Sequence, residues 1–200
     1  KEYDKDAEII YLLNSTPEAI IGKSVYKEST GEMIDIKPTW LVNLEEKCKR
    51  EPDRLHVLFF DEISNAPKSV QGLAFNIILD REVNGKWRLP DNARVVAAGN
   101  EVEESIAANK IAKPLYDRFA HIYIKTTVDS WLKWASKNNI HPAIYSFIAY
   151  KGESVLRTKY DGKKPNADPR KWEMASKVLY QTKNPNMLTS LVGEEITNEF

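Results

Sequence analysis

Val57-Leu58-Phe59-Phe60 is apolar without alternation and runs straight into two adjacent carboxylates, Asp61-Glu62. Alternating character marks a strand with one wet face. A continuous run, here opened by His56, reads instead as a strand covered on both faces, as in a parallel sheet between helical layers. Arg94-Val95-Val96-Ala97-Ala98 is a second such run, stopped by Gly99-Asn100, and His121-Ile122-Tyr123-Ile124 a third. Residues 8–13 read as a further strand, stopped by Asn14-Ser15-Thr16-Pro17, which caps a short helix over 18–21.

Between these runs the spacing is helical. A helix is expected from Lys37-Pro38-Thr39-Trp40-Leu41 to about Arg50, and another over 67–79, where Val70, Leu73, Ala74, Ile77 and Ile78 share a face. Ser29-Thr30-Gly31 supplies a turn, and Asn84-Gly85 between Val83 and Trp87 signals a small hairpin. Residues 113–119 read as a short helix. Strands alternating with helices at these intervals imply an α/β fold with crossover helices. After about Lys125 strand character disappears, and residues 128–137, 143–149, 170–180 and 186–198 read as helices, with a Gly/Pro/Lys/Asp-rich linker at 159–168. The expected division is therefore 1–125, an α/β core, and 126–200, a helical domain.

Two carboxylates at the end of such a strand have a chemical use, because ligands of open α/β sheets sit beyond the carboxyl ends of the strands. Asp61 would there hold magnesium through water, Glu62 would take a proton from water attacking a phosphoryl group, and Asn100 would orient that water. The plainer reading is that strands often end in Asp, Glu or Asn where they meet solvent.

Charge narrows the classes. Twenty-nine Lys/Arg balance twenty-nine Asp/Glu, so the net charge of zero gives no argument for a nucleic-acid footprint. One cysteine, Cys48, rules out an intrachain disulfide framework and suits a reducing cytosol, hence a cytoplasmic expectation. No apolar run reaches membrane-spanning length. His56, His121 and His141 lie far apart, without companions at ligand spacing, so no metal beyond magnesium is expected.

The ordered series of segments resembles MoxR-like AAA+ ATPases over roughly residues 8–200. Residues 56–67 resemble the Walker B segment, 70–81 the helix after it, and 82–90 the hairpin inserted there. Residues 95–100 resemble the sensor-one strand, and Leu115-Tyr116-Asp117-Arg118-Phe119 the segment bearing the arginine finger. Asp168-Pro169-Arg170-Lys171-Trp172-Glu173 resembles the sensor-two region of a helical lid, and 192–200 the end of that lid. The resemblance implies a P-loop NTPase-like fold, ATP and Mg2+ as cofactors, a homo-oligomeric ring, and hydrolysis coupled to remodelling of a client or adaptor protein. Carried over, Glu62 activates water, Asn100 orients it and Asp61 positions the ion. Arg118 reaches the nucleotide of the adjacent subunit, and Arg170 acts in cis from the lid, with Arg157 as its rival. Without the resemblance, Arg118 reads as a helix-end residue facing Asp117 or solvent, and Arg170 as the start of a helix.

One part of the pattern departs. A P-loop needs glycine amides wrapped around phosphate, then Lys and Ser/Thr opening a helix. Gly22-Lys23-Ser24 offers the last three residues, but Pro17 stands where the first glycine belongs and has no amide hydrogen. Residues 25–31 read as strand or loop rather than helix. The resemblance places the true Walker A, with the central strand before it, ahead of Lys1, so this chain is expected to turn over little ATP alone. That missing strand would leave the edges of the second and third apolar runs open. Trp131 and Trp134 are expected to share a packed helix face, Tyr145, Phe147, Ile148 and Tyr150 to be core or an interdomain seam, Trp87 to be structural, and Cys48 incidental. A noncatalytic AAA+-like scaffold and a nucleic-acid-directed AAA+ machine are the alternatives.

Overall fold

The computed structural model describes residues 7–100, 113–160 and 162–200. Residue 161, in the expected linker, lies outside them. Contacts divide the chain into two compact units, Lys1–His121 and Ile122–Phe200.

The first unit is built on three parallel strands, β1 (Glu8–Tyr11), β4 (His56–Asp61) and β7 (Ala93–Ala97), in the order β1-β4-β7. Between β1 and β4 come α1 (Pro17–Ile21), an antiparallel hairpin of β2 (Lys23–Lys27) and β3 (Glu32–Ile36), and α2 (Thr39–Arg50). Between β4 and β7 come α3 (Lys68–Asp80) and a second hairpin, β5 (Glu82–Val83) and β6 (Trp87–Arg88). This is a parallel sheet interleaved with helices, as in P-loop NTPase-like folds.

Local signals explain the element ends. Thr16 caps α1 by accepting the Ala19 amide, and Pro17 occupies a first-turn position whose amide would be unpaired in any case. Asn84 and Gly85 both have positive φ, 57° and 62°, as central residues of the turn that the Lys86 amide closes on the Val83 carbonyl (3.2 Å). Arg81 ends α3 and donates through Nη2 to the carbonyls of Pro90 (2.7 Å) and Ala93 (3.2 Å), tying the return strand to the helix. The core is continuous through Ile10, Leu12, Ile20, Leu41, Leu44, Leu58, Phe60, Ala74 and Ile77. Trp40 fastens α2 to α1 by an indole hydrogen bond to the Ile20 carbonyl (3.0 Å).

Two expectations change here. β4 is not equally covered on both sides: His56, Leu58 and Phe60 are buried while Val57, Phe59 and Asp61 are half-buried. Likewise only Ala93 of β7 is buried, and Val96 is 43% exposed, because among the described residues β7 pairs on one side only. The third apolar run is not a strand. Residues 121–127 are irregular, with Ile122 and Ile124 85% and 91% exposed. Apolar pattern alone does not make a strand; it needs a paired edge, and residues 121–124 pair with none among the described residues.

The second unit is helical: α5 (Val128–Ala135), α6 (Pro142–Lys151), α7 (Glu153–Leu156), α8 (Pro169–Thr182), a 3-10 turn (Pro185–Leu188), α9 (Thr189–Val192) and α10 (Glu194–Glu199). Thr127 and Ser130 form a reciprocal capping box on α5, and Asp168 caps α8 through the amides of Arg170 and Lys171 (2.8 and 2.9 Å). Trp172 is fully buried at its centre, its indole donating to the Val155 carbonyl at 2.8 Å. The helix expected over 186–198 is instead three short turns. Gly193, at φ 91°, breaks it where its Cα approaches the Pro165 carbonyl so closely that a Cβ would sit 2.7 Å away. Of the apolar and aromatic residues expected to pack, Trp131 and Ile148 are buried, whereas Trp134 is 38% and Tyr150 85% exposed. Tyr150 follows Ile148 by two positions, which turns it away from the buried helix face.

Candidate active site at the strand ends

β4 and β7 are adjacent and parallel, with Phe60 paired to Ala97, so their carboxyl ends deliver Asp61-Glu62 and Gly99-Asn100 to one place. The Ala98 amide bonds the Phe60 carbonyl (2.8 Å) and the Ile63 amide bonds the Ala98 carbonyl (2.9 Å), carrying the pairing beyond the ladder. Ser64, 1% exposed, then accepts the Asn100 amide on its hydroxyl at 2.8 Å. This approach requires glycine at 99, where a Cβ would lie 2.9 Å from Ser64 Oγ and 3.2 Å from Ile63 Cγ2.

Glu62 is half-buried, with φ 58° in the left-handed region. Its amide bonds Asp61 Oδ1 (3.0 Å), and its carbonyl accepts the amides of Asn65 and Ala66 (3.0 and 3.1 Å). Its carboxylate Oε2 accepts the side-chain amide of Asn65, and that of Asn100 at 3.3 Å. Thus three sequence-predicted residues, Asp61, Glu62 and Asn100, come together. Ser64, Asn65 and Gly99 were missed by sequence reasoning. The signal for them was faint: a Gly directly before a strand-end polar residue marks close backbone approach, and small polar side chains after two carboxylates can fold back on them.

Arg118 is exposed on the turn after α4 (Lys113–Tyr116), apart from that cluster's hydrogen bonds. Arg170 lies in the other unit, exposed in the first turn of α8. There it lines a cleft of about 230 Å³ with Thr126, Ser130, Trp131, Trp134 and Glu173.

Gly22-Lys23-Ser24 does not lead into a helix. Gly22 (φ 80°) ends α1 with its amide on the Glu18 carbonyl (2.9 Å), and Lys23 opens strand β2, paired with Ile36, rather than a helix. The same glycine lets Ile36 and Trp87 pack close, which gives Trp87 a structural place in the core. Magnesium, by contrast, suits the strand ends. It keeps several waters and needs only one or two carboxylates, and Asp61 Oδ2 has no hydrogen-bond partner among the described residues. No group of three or more His, Cys, Asp or Glu gathers among those residues, so a cage made of protein ligands alone is not present there.

Residues 9–119 match the family model described as AAA domain (dynein-related subfamily). The chain belongs to that family. This AAA domain is therefore ATPase-like in kind, and its family typically binds ATP and Mg2+. The match spans Asp61, Glu62, Asn100 and Arg118 but stops short of Arg170. Among solved structures, the chain is similar to a putative ATPase from Cytophaga hutchinsonii at 18% identity, covering 68% of this chain and 39% of that one, with TM-score 0.40. It is also similar to NtrX from Brucella abortus at 16% identity, covering 91% of this chain and 40% of that one, with TM-score 0.43. The chain thus spans about two-fifths of the length of either. A search of curated proteins found no match. No helix among the described residues is long and apolar enough to cross a membrane.

Proposed function

We propose that this domain belongs to a MoxR-like protein that couples magnesium-dependent ATP hydrolysis to remodelling of a client or adaptor protein complex. The supporting observation is the pair of side-chain amides on Glu62, beside Asp61, at the carboxyl ends of two adjacent parallel strands. Two donors on one oxygen fix the direction of the carboxylate. Glu62 then takes the proton of the attacking water, and Asn100 orients that water. Asp61 would be the carboxylate that holds magnesium. Bound ATP with magnesium supplies the phosphoryl group and neutralises part of its charge. Arg118 extends its fixed donor fork to the nucleotide of the next subunit in a homo-oligomeric ring, and Arg170 acts on the nucleotide of its own subunit from the helical lid. A cytoplasmic protein fits the single cysteine.

The second reading is a noncatalytic scaffold, and the observation that favours it is that Gly22-Lys23-Ser24 runs into strand β2 rather than a helix. Turnover and ATP affinity of the natural full-length protein and its Glu62→Gln variant separate the two. The catalytic reading expects retained binding with turnover reduced about 10²–10⁴-fold. Equal turnover in both would remove Glu62 from the chemistry, and no ATP binding by either would leave the scaffold.

A further inference from the structure

We propose that His121 is a positioning residue for Arg118: its imidazole clamps the base of the turn that presents the guanidinium. The proposal rests on the reading of Arg118 as the residue that reaches a neighbouring subunit's nucleotide. Helix α4 is four residues long, too short to hold the following turn by itself. Beyond it, the Asp117 amide bonds the Lys113 carbonyl (2.9 Å) and the Phe119 amide bonds the Tyr116 carbonyl (3.3 Å). The chain then folds back. The His121 ring stacks on Tyr116 with centroids 3.8 Å apart and planes 20° from parallel, and its Nε2 lies 2.7 Å from the Tyr116 carbonyl oxygen. Because the acceptor is a carbonyl, Nε2 carries the hydrogen. Phe119 is packed against the core and meets His121 edge-on at 6.5 Å.

Arg118 therefore sits at the exposed apex of a loop held from inside by Phe119 and closed at its base by His121. A guanidinium that must cross to another subunit gains from this, since misplacement by about 1 Å can cost on the order of 10²-fold in rate. The same contact explains why residue 121 does not open a strand: its ring is turned back on α4.

The test uses the natural full-length protein with His121→Ala, His121→Phe (stacking kept, hydrogen bond lost) and His121→Gln (donor kept, ring lost). His121→Ala should lower kcat by about 10-fold at unchanged KM for ATP, with the other two between it and wild type. The deciding readout is mixing. Glu62→Gln subunits cannot turn over their own nucleotide but carry an intact Arg118 turn, so adding them to the His121→Ala protein should restore turnover at the shared interfaces. Arg118→Ala mixed with Glu62→Gln is the parallel control. Rescue in both mixtures supports the clamp. Rescue of Arg118→Ala alone, or wild-type kcat in every His121 variant, overturns the clamp and leaves Arg118 in place. Rescue of neither, or no turnover by the wild-type protein, overturns both readings. If His121→Ala does not fold, the Phe and Gln variants carry the same comparison.

Discussion

Replacing Gly99 by alanine tests whether the strand-end cluster is held by close packing. The added Cβ would lie 2.9 Å from Ser64 Oγ and 3.2 Å from both Ser64 Cβ and Ile63 Cγ2, and Ser64 is 1% exposed, so the neighbours have little room to give. Overpacking of this kind costs about 1–3 kcal/mol. If Ser64 moves, the 2.8 Å bond from the Asn100 amide weakens as well, adding roughly 0.5–1.5 kcal/mol. Ser64→Gly removes two of the three close atoms together with that acceptor, so it is destabilising alone. In the Ser64→Gly background, however, Gly99→Ala should cost about 1 kcal/mol less or better, giving a favourable coupling between the two changes. Urea unfolding of the four proteins, compared at constant m-value, measures the cycle. Additive costs, or a neutral Gly99→Ala, would refute the packing argument and free Asn100 from dependence on Ser64.

Three further predictions follow from particular contacts. Gly22→Ala should destabilise by about 2–3 kcal/mol, from backbone strain at φ 80° together with a Cβ aimed 2.3 Å from the Ile36 carbonyl; thermal unfolding reads it. Asn92→Ala should cost about 1–3 kcal/mol, since its side-chain amide is shared among the carbonyls of Cys48, Glu51, Pro52 and Arg54 at 3.2–3.4 Å, closing the loop that leads into β4. Asp35 joins the two hairpins, and hydrogen bonds from Lys86 and then Ser24 hold its carboxyl below the usual value. A depressed carboxylate contributes stability above its unfolded pKa and loses it as pH falls through the folded one, so Asp35→Asn should flatten the acid limb of a stability–pH curve below about pH 4. An unchanged limb would count against that link.

The sheet was legible where sequence carried its own punctuation. β4 is bounded by charge at its end, α1 by Thr16 and Pro17, and the second hairpin by Asn84-Gly85, all local signals. What was not legible depends on partners distant in sequence. Ile122 and Ile124 have strand composition but pair with no strand among the described residues, and the helix expected over 186–198 breaks at Gly193, where the carbonyl of Pro165, far off in sequence, leaves no room for a Cβ. At the candidate site the same division holds. Carboxylates at a strand end could be read directly, but the Asn65 and Asn100 amides that turn toward one of them are a consequence of the fold. Arg170 was singled out by resemblance, and Trp131 and Trp134 only as a packed helix face; the cleft that the three line together was not read.

The backbone at Glu62 bears on why that cluster has its form. Along β4 the even-numbered positions, His56, Leu58 and Phe60, face the buried side. Extended backbone would send residue 62 the same way, placing a carboxylate against the apolar core. Positive φ at Glu62 breaks the alternation at that position, and the turn that follows brings Asn65 back onto the carboxylate while β7 brings Asn100. A non-glycine residue in this region costs on the order of 1 kcal/mol or more, and glycine would relieve it. Glycine could equally accept the turn's backbone bonds, the Asn65 and Ala66 amides on the residue-62 carbonyl. What glycine cannot supply is the acceptor shared by the two side-chain amides. Strain retained at a position whose side chain is oriented by two donors is what the role proposed for Glu62 would use, and the strand end in general does not offer it.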